Sequence, residues 1–113
     1  MHTISVQIVR FTDSHQPGWV ECVLRDAASR EWTFIEKVPI VTNALLDAAS
    51  VYPQRGVVAC EIVEHWTDEH GRIRCIIDTE RPWGIEAKNG ETQFEVFIDQ
   101  ITTTANQRTR THP

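Results

Sequence analysis

Apolar and polar side chains alternate along much of the chain. Ile4, Val6 and Ile8 fall on one side of a run in which Ser5 and Gln7 take the other, so residues 3–12 read as a half-buried strand. Pro17-Gly18 follows as a candidate type II turn, with Pro17 presetting φ and Gly18 accepting positive φ. Residues 19–26 return with Val20, Cys22 and Leu24 on one face. After the glycine-free turn Asp26–Arg30, residues 31–41 carry Trp32, Phe34 and Val38. Pairing Leu24 with Phe34 sets Val20 against Val38 and keeps the apolar rows together. Pro39 cannot donate to a ladder, so this strand meets an edge or a bulge there.

Residues 42–50 are the one helix-like piece, with Thr42 or Asn43 as cap and Pro53 beyond. They predict one or two helical turns or an ordered loop. Residues 56–67 form a long strand bearing Cys60, Ile62 and Trp66, and Asp68–Gly71 turns it into residues 72–79. Pairing Trp66 with Ile73 and Ile62 with Ile77 matches apolar to apolar. Arg81-Pro82 ends that strand. Residues 83–88 then lead through Asn89-Gly90, a strong two-residue hairpin signal of type I′, into residues 91–99. This places Ile85 opposite Phe94 and Trp83 opposite Val96. The pattern predicts an all-β fold: a small six- or seven-stranded antiparallel barrel or sandwich with one short helical turn. It fills residues 1–101 as a single domain, with residues 102–113 as a flexible polar tail.

Composition supports this. The 113 residues include 22 Val and Ile together, 12 Thr and only 3 Leu, and β-branched side chains fit a pleated surface better than a helix. A net charge of −5 argues against a phosphate backbone as partner. Arg108 and Arg110 are too thin a basic cluster for a nucleic-acid arm. Cys22, Cys60 and Cys75 lie in strand-like runs without C-x-x-C spacing, so they read as reduced thiols filling a core and point to a cytoplasmic setting. The N-terminus shows no secretory signal, and no apolar run approaches the length of a membrane span.

The stretch Pro17-Gly18-Trp19-Val20-Glu21-Cys22, then Asp26-Ala27 and Phe34-Ile35-Glu36-Lys37-Val38-Pro39-Ile40-Val41, resembles a family of small bacterial all-β proteins without an assigned function. Tyr52-Pro53, Thr79–Gly84 and Phe94-Glu95-Val96-Phe97 belong to the same pattern, which spans most of residues 3–99. Ser29 departs from it, standing where a glycine is expected. The resemblance implies the fold but no activity.

Phosphate loops, nucleophile elbows and zinc-binding helical motifs are missing from the chain. Glu36 and Glu64 each interrupt an apolar row. The pairings above set Cys22 opposite Glu36 and Cys75 opposite Glu64. A carboxylate among apolar neighbours has a raised pKa and is a candidate general acid or ligand anchor; a place at the barrel rim, or a bulge turning it outward, explains the same positions without chemistry. His65, Asp68 and His70 form the densest group of metal-ligand types, although a solvated turn accounts for them, and no cofactor is expected. Trp32, Trp66 and Trp83 fit core-facing rows. Trp19 falls off the Val20-Cys22-Leu24 row and is the candidate contact residue for a protein partner. The leading expectation is a non-catalytic interaction or binding module, with no nucleic acid and no membrane as partner. The alternative is a small enzyme or small-molecule binder with Glu36 and Glu64 in a barrel mouth.

Overall fold

A computed structural model describes residues 1–104. Seven antiparallel strands form one curled sheet, a half-barrel. They are β1 (His2–Asp13), β2 (Trp19–Arg25), β3 (Glu31–Lys37), β4 (Gln54–Thr67), β5 (Ile73–Asp78), β6 (Gln93–Phe97) and β7 (Ile101–Thr103), in spatial order β3-β2-β1-β4-β5-β6. Strand β1 is the hinge of this arrangement. Its first half pairs with β4, from His2 opposite Cys60 to Ile8 opposite Gln54, and its second half pairs with β2. Strand β7 pairs with the length of β1 that β2 leaves open, setting Thr102 and Thr103 opposite Thr3 and His2. Thr102 and Thr103, expected in the polar tail, thus belong to a strand, and residues 105–113 of that expected tail lie outside the described residues.

The two ends of the sheet meet at a seam. The Ala27 N–H donates to the Glu95 carbonyl at 2.9 Å, and the Lys88 N–H donates to the Thr33 carbonyl at 2.8 Å. Phe94 on β6 makes edge-on ring contacts with Trp32 and Phe34 on β3, at centroid separations of 5.2 and 5.6 Å. Inside the curl, Ile4, Val6, Ile8, Val20, Cys22, Leu24, Phe34, Val58, Cys60, Cys75, Ile77 and Val96 make one buried cluster. The alternation predicts these inward rows correctly for β1 and β2. All three cysteines are buried and free. No buried side-chain nitrogen or oxygen among the described residues lacks a hydrogen-bond partner, so the polar groups within this apolar interior are satisfied.

The helical turn is α1 (Val38–Val41), earlier in the chain than expected. Pro39 is tolerated in a first helical turn, where its missing N–H costs nothing. Val38 and Val41, three residues apart, both reach the core. Residues 42–50 take the second of their two expected forms, an ordered loop, held by local bonds that compete with a helix: the Asp47 carboxylate accepts from the Ala49 N–H and the Ser50 hydroxyl. The turn before β2 closes from the Gly18 N–H to the His15 carbonyl, with the Gln16–Pro17 peptide cis, so Pro17 stands third in the turn rather than second.

Three turns share one geometry. In Asp26–Arg30, Asp68–Arg72 and Ala87–Glu91 the first residue donates its N–H to the fifth carbonyl and accepts from the fourth N–H, and the fourth residue has positive φ: Ser29 64°, Gly71 81°, Gly90 90°. This is a three-residue loop, a type I turn followed by a left-handed residue. It corrects two expectations. Strands β2 and β3 pair two residues off the expected register, with Cys22 opposite Phe34 and Leu24 opposite Trp32, because the Ser29 turn is tighter than the pattern predicts. A shift of two keeps every side chain on its face. The Asn89-Gly90 turn is not type I′, since Asn89 does not take positive φ. It docks onto β3 through Lys88, and residues 83–88 form no strand. Gly90→Val has open space around the new side chain, so its cost is the left-handed backbone alone: a loss of about 1–2 kcal/mol in urea unfolding. An unchanged midpoint would contradict the observed turn.

Candidate functional site

Glu36 lies on β3 opposite Val20, not Cys22, and is half-buried. Burial pushes its carboxyl up from the ordinary range, while the Lys37 N–H and ammonium pull the other way. Glu64 behaves differently. Pairing of β4 with β5 runs from Ile62 opposite Ile77 to Glu64 opposite Ile76, so Val63 is an extra, bulged residue. The bulge reverses the alternation: His65, not Glu64, now faces Cys75, and Trp66 lies opposite Arg74 rather than Ile73. Glu64 is exposed, and Trp66 leaves the core row. The two carboxylates also sit far apart along the sheet. Glu36 is at the end where Asp13 meets Trp19, whereas Glu64 lies beyond the other end of β1, past the His2–Cys60 pair. They form no common mouth, which corrects the paired-carboxylate expectation.

The environment of Glu36 has a testable consequence. A carboxyl whose folded pKa lies above its unfolded value favours its protonated form in the folded chain, so stability falls as pH rises through that window. Glu36→Gln is expected to remove this penalty and to raise the urea midpoint at pH 7 relative to the parent, with the gain disappearing below about pH 4. A lower midpoint at pH 7 would mean that the charge stabilises the fold through Lys37.

The sequence His65-Trp66-Thr67-Asp68-Glu69-His70 does not converge on a point. His65, Glu69 and His70 are exposed. The Asp68 carboxylate accepts from the N–H groups of His70 and Arg72, both at 2.9 Å, and from Arg74 Nε at 2.9 Å. Its lone pairs serve the turn, and no three His, Cys, Asp or Glu side chains among the described residues are grouped to hold a metal.

Trp19 is half-buried opposite Lys37, whose ammonium lies 5.7 Å from its ring centroid. The exposed tryptophan is Trp83, expected in the core but 51% exposed because residues 80–84 fold into a turn instead of a strand. It borders a shallow groove of about 160 Å³ with Pro39, Ile40 and Val57.

A concavity of about 540 Å³ lies on the outer face of β1, β2 and β4. Ser5 and Gln7 from β1, Val23 and Arg25 from β2, and Arg55 from β4 line it, with Glu31 and Gln100 at its margin. Arg55 Nη2 donates to the Ser5 hydroxyl at 3.1 Å, and Arg25 Nη2 donates to Glu31 at 3.0 Å. The Gln100 side chain bridges two strands, donating to the Arg25 carbonyl and accepting from the Phe97 N–H, both at 2.8 Å. None of these residues stands out in the sequence, because each occupies an outward position where a polar side chain is ordinary. The only signal is that Gln7 and Arg55 are directly opposed once the β1–β4 register is known.

No helix among the described residues is long and apolar enough to cross a membrane. Comparison with protein-family models, curated proteins and solved structures finds no match for this chain.

Proposed function

We propose that this chain is a non-catalytic binding module that engages its ligand on the outer face of the sheet. The observation that carries the reading is the contrast between the two faces. The inside of the curl is packed with apolar side chains, whereas the outer face of β1, β2 and β4 holds a concavity of about 540 Å³ lined by hydrogen-bonding side chains. The enzyme alternative has lost its pair of carboxylates, since Glu36 and Glu64 lie at opposite ends of the sheet. Three buried thiols and the resemblance to small bacterial all-β proteins support a bacterial, cytoplasmic setting for such a module, with a protein among its partners.

The test is a titration of the nitrogen-15-labelled full chain with a set of neutral, acidic and basic small fragments. The reading expects amide shifts concentrated at Ser5, Gln7, Val23 and Arg55. Shifts confined to the surroundings of Glu36 and Cys22 would replace it with an inner-face site.

A further inference from the structure

We infer that the outer-face cleft is a carboxylate-binding site anchored by Arg55, an assignment that rests on the outer-face reading above. The charges around the cleft are unbalanced. Arg25 and Arg55 line it against a single carboxylate, Glu31, and that carboxylate is paired with Arg25 at 3.0 Å. Arg55 makes no ion pair among the described residues. Its one side-chain hydrogen bond is to the neutral Ser5 hydroxyl. A chain with 16 Asp and Glu against 11 Lys and Arg thus leaves, among the described residues, an arginine without a carboxylate inside this concavity.

The form of that arginine selects the ligand. A guanidinium presents a planar fork of N–H donors that matches a carboxylate in two parallel hydrogen bonds. The Ser5 hydroxyl occupies one Nη of Arg55 and holds the side chain over the sheet, so the fork is oriented before a ligand arrives. Gln7, directly across the β1–β4 ladder from Arg55, supplies an amide beside it, and Val23 supplies an apolar floor for the body of the ligand. Overall charge narrows the class further. Two arginines and one glutamate leave the cleft one positive charge, which a monoanion neutralises. A polyanion would extend over the rest of an acidic surface and be repelled there. The ligand chemistry is therefore a single carboxylate on a small, partly apolar body, whether a free acid or the C-terminus of a peptide.

The experiment titrates the labelled full chain with N-acetylvaline, N-acetylvaline amide, inorganic phosphate, and an alanine-valine-rich tetrapeptide with its C-terminus free or amidated. N-acetylvaline is expected to shift the amides of Ser5, Gln7, Val23 and Arg55 with a roughly millimolar dissociation constant, weakening as salt is raised. Arg55→Gln, an exposed substitution compatible with the fold, is expected to weaken it about tenfold, and Arg25→Gln less because Glu31 already shares that charge. Tighter binding of the free-ended tetrapeptide than of N-acetylvaline identifies a chain end as the source; equal binding identifies a free acid. The assignment is overturned if Arg55→Gln leaves the affinity unchanged or if phosphate binds more tightly than the acid. Equal shifts from the acid and its amide at these positions would also overturn it while leaving the outer-face reading intact. Acid-induced shifts confined to the surroundings of Glu36 would overturn both.

Discussion

Phe94→Ala is expected to cost about 3–5 kcal/mol in urea unfolding, a large share of the stability of a domain this size. Phe94 is 3% exposed on β6 and meets Trp32 and Phe34 of β3 edge-on. Those contacts join strands at opposite ends of the sheet path. Removing the ring therefore leaves a cavity where little backbone hydrogen bonding holds the walls together: among the described residues, the Ala27–Glu95 and Lys88–Thr33 bonds are the backbone links across the seam. The neighbouring rings cannot close the gap without opening the curl. Phe94→Leu keeps most of the volume and is expected to cost less than half as much. A loss under about 1 kcal/mol for Phe94→Ala would show that the seam is not part of the core.

Asp26→Ala is expected to cost roughly 2–4 kcal/mol. The Asp26 side chain is only 4% exposed and satisfies donors from three residues. One oxygen accepts from the N–H groups of Ala28 and Arg30 at 2.8 and 2.9 Å. The other accepts from Trp32 Nε1 at 2.9 Å and from Arg30 Nε at 3.3 Å. Alanine strands those donors and loosens the turn that sets the β2–β3 register. Asp26→Asn keeps an acceptor for the backbone pair but turns an amide N–H toward the indole, so a smaller loss is expected.

The same bonds predict acid sensitivity. Burial acts to raise the Asp26 carboxyl, but the indole, the two N–H groups and the guanidinium together hold it below the usual range. The Arg74 side chain and the Arg72 N–H bring Asp68 down to about 2. A folded pKa below the unfolded value of about 3.9 means stabilisation that is complete above that value and lost as pH falls through the folded one. The urea midpoint should therefore decline between about pH 4 and pH 2, and an Asp26→Asn, Asp68→Asn double variant should flatten that decline. An equally steep decline in the double variant would assign the acid loss to other groups.

The features behind these predictions are unequally legible. The inward rows of β1 and β2 follow from alternation, because a strand with one buried face must repeat every two residues. The Asp26 clamp was readable only as a turn-like run. Its role depends on Trp32, six residues on, folding back within 2.9 Å of the carboxylate. The Val63 bulge had no signature. Glu64 and Trp66 looked like members of an inward row, and one extra residue in β4 sent both to the outer face. Trp83 leaves the core because residues 80–84 close a turn, Gly84 N–H to Glu80 carbonyl, where the apolar positions after Arg81-Pro82 fit a strand pattern equally well.

What the amino-acid order determined by itself was local: the β-rich character from its Val, Ile and Thr, the buried face of the regular strands, the free and buried thiols, and the positions of the turns. Each depends on side-chain shape or on neighbours a few residues away. The tertiary structure alone decided which strands are neighbours, where the two ends of the sheet meet, and which outward side chains share a surface. Arg55 and Ser5 are 50 residues apart, Gln100 and Arg25 are 75 apart, and the cleft that gathers them exists only because β1 pairs with β4 on one side and with β2 and β7 on the other. Long-range register is set by the best joint packing of the whole core and by bulges that shift it by one residue, and no short window of sequence carries that information.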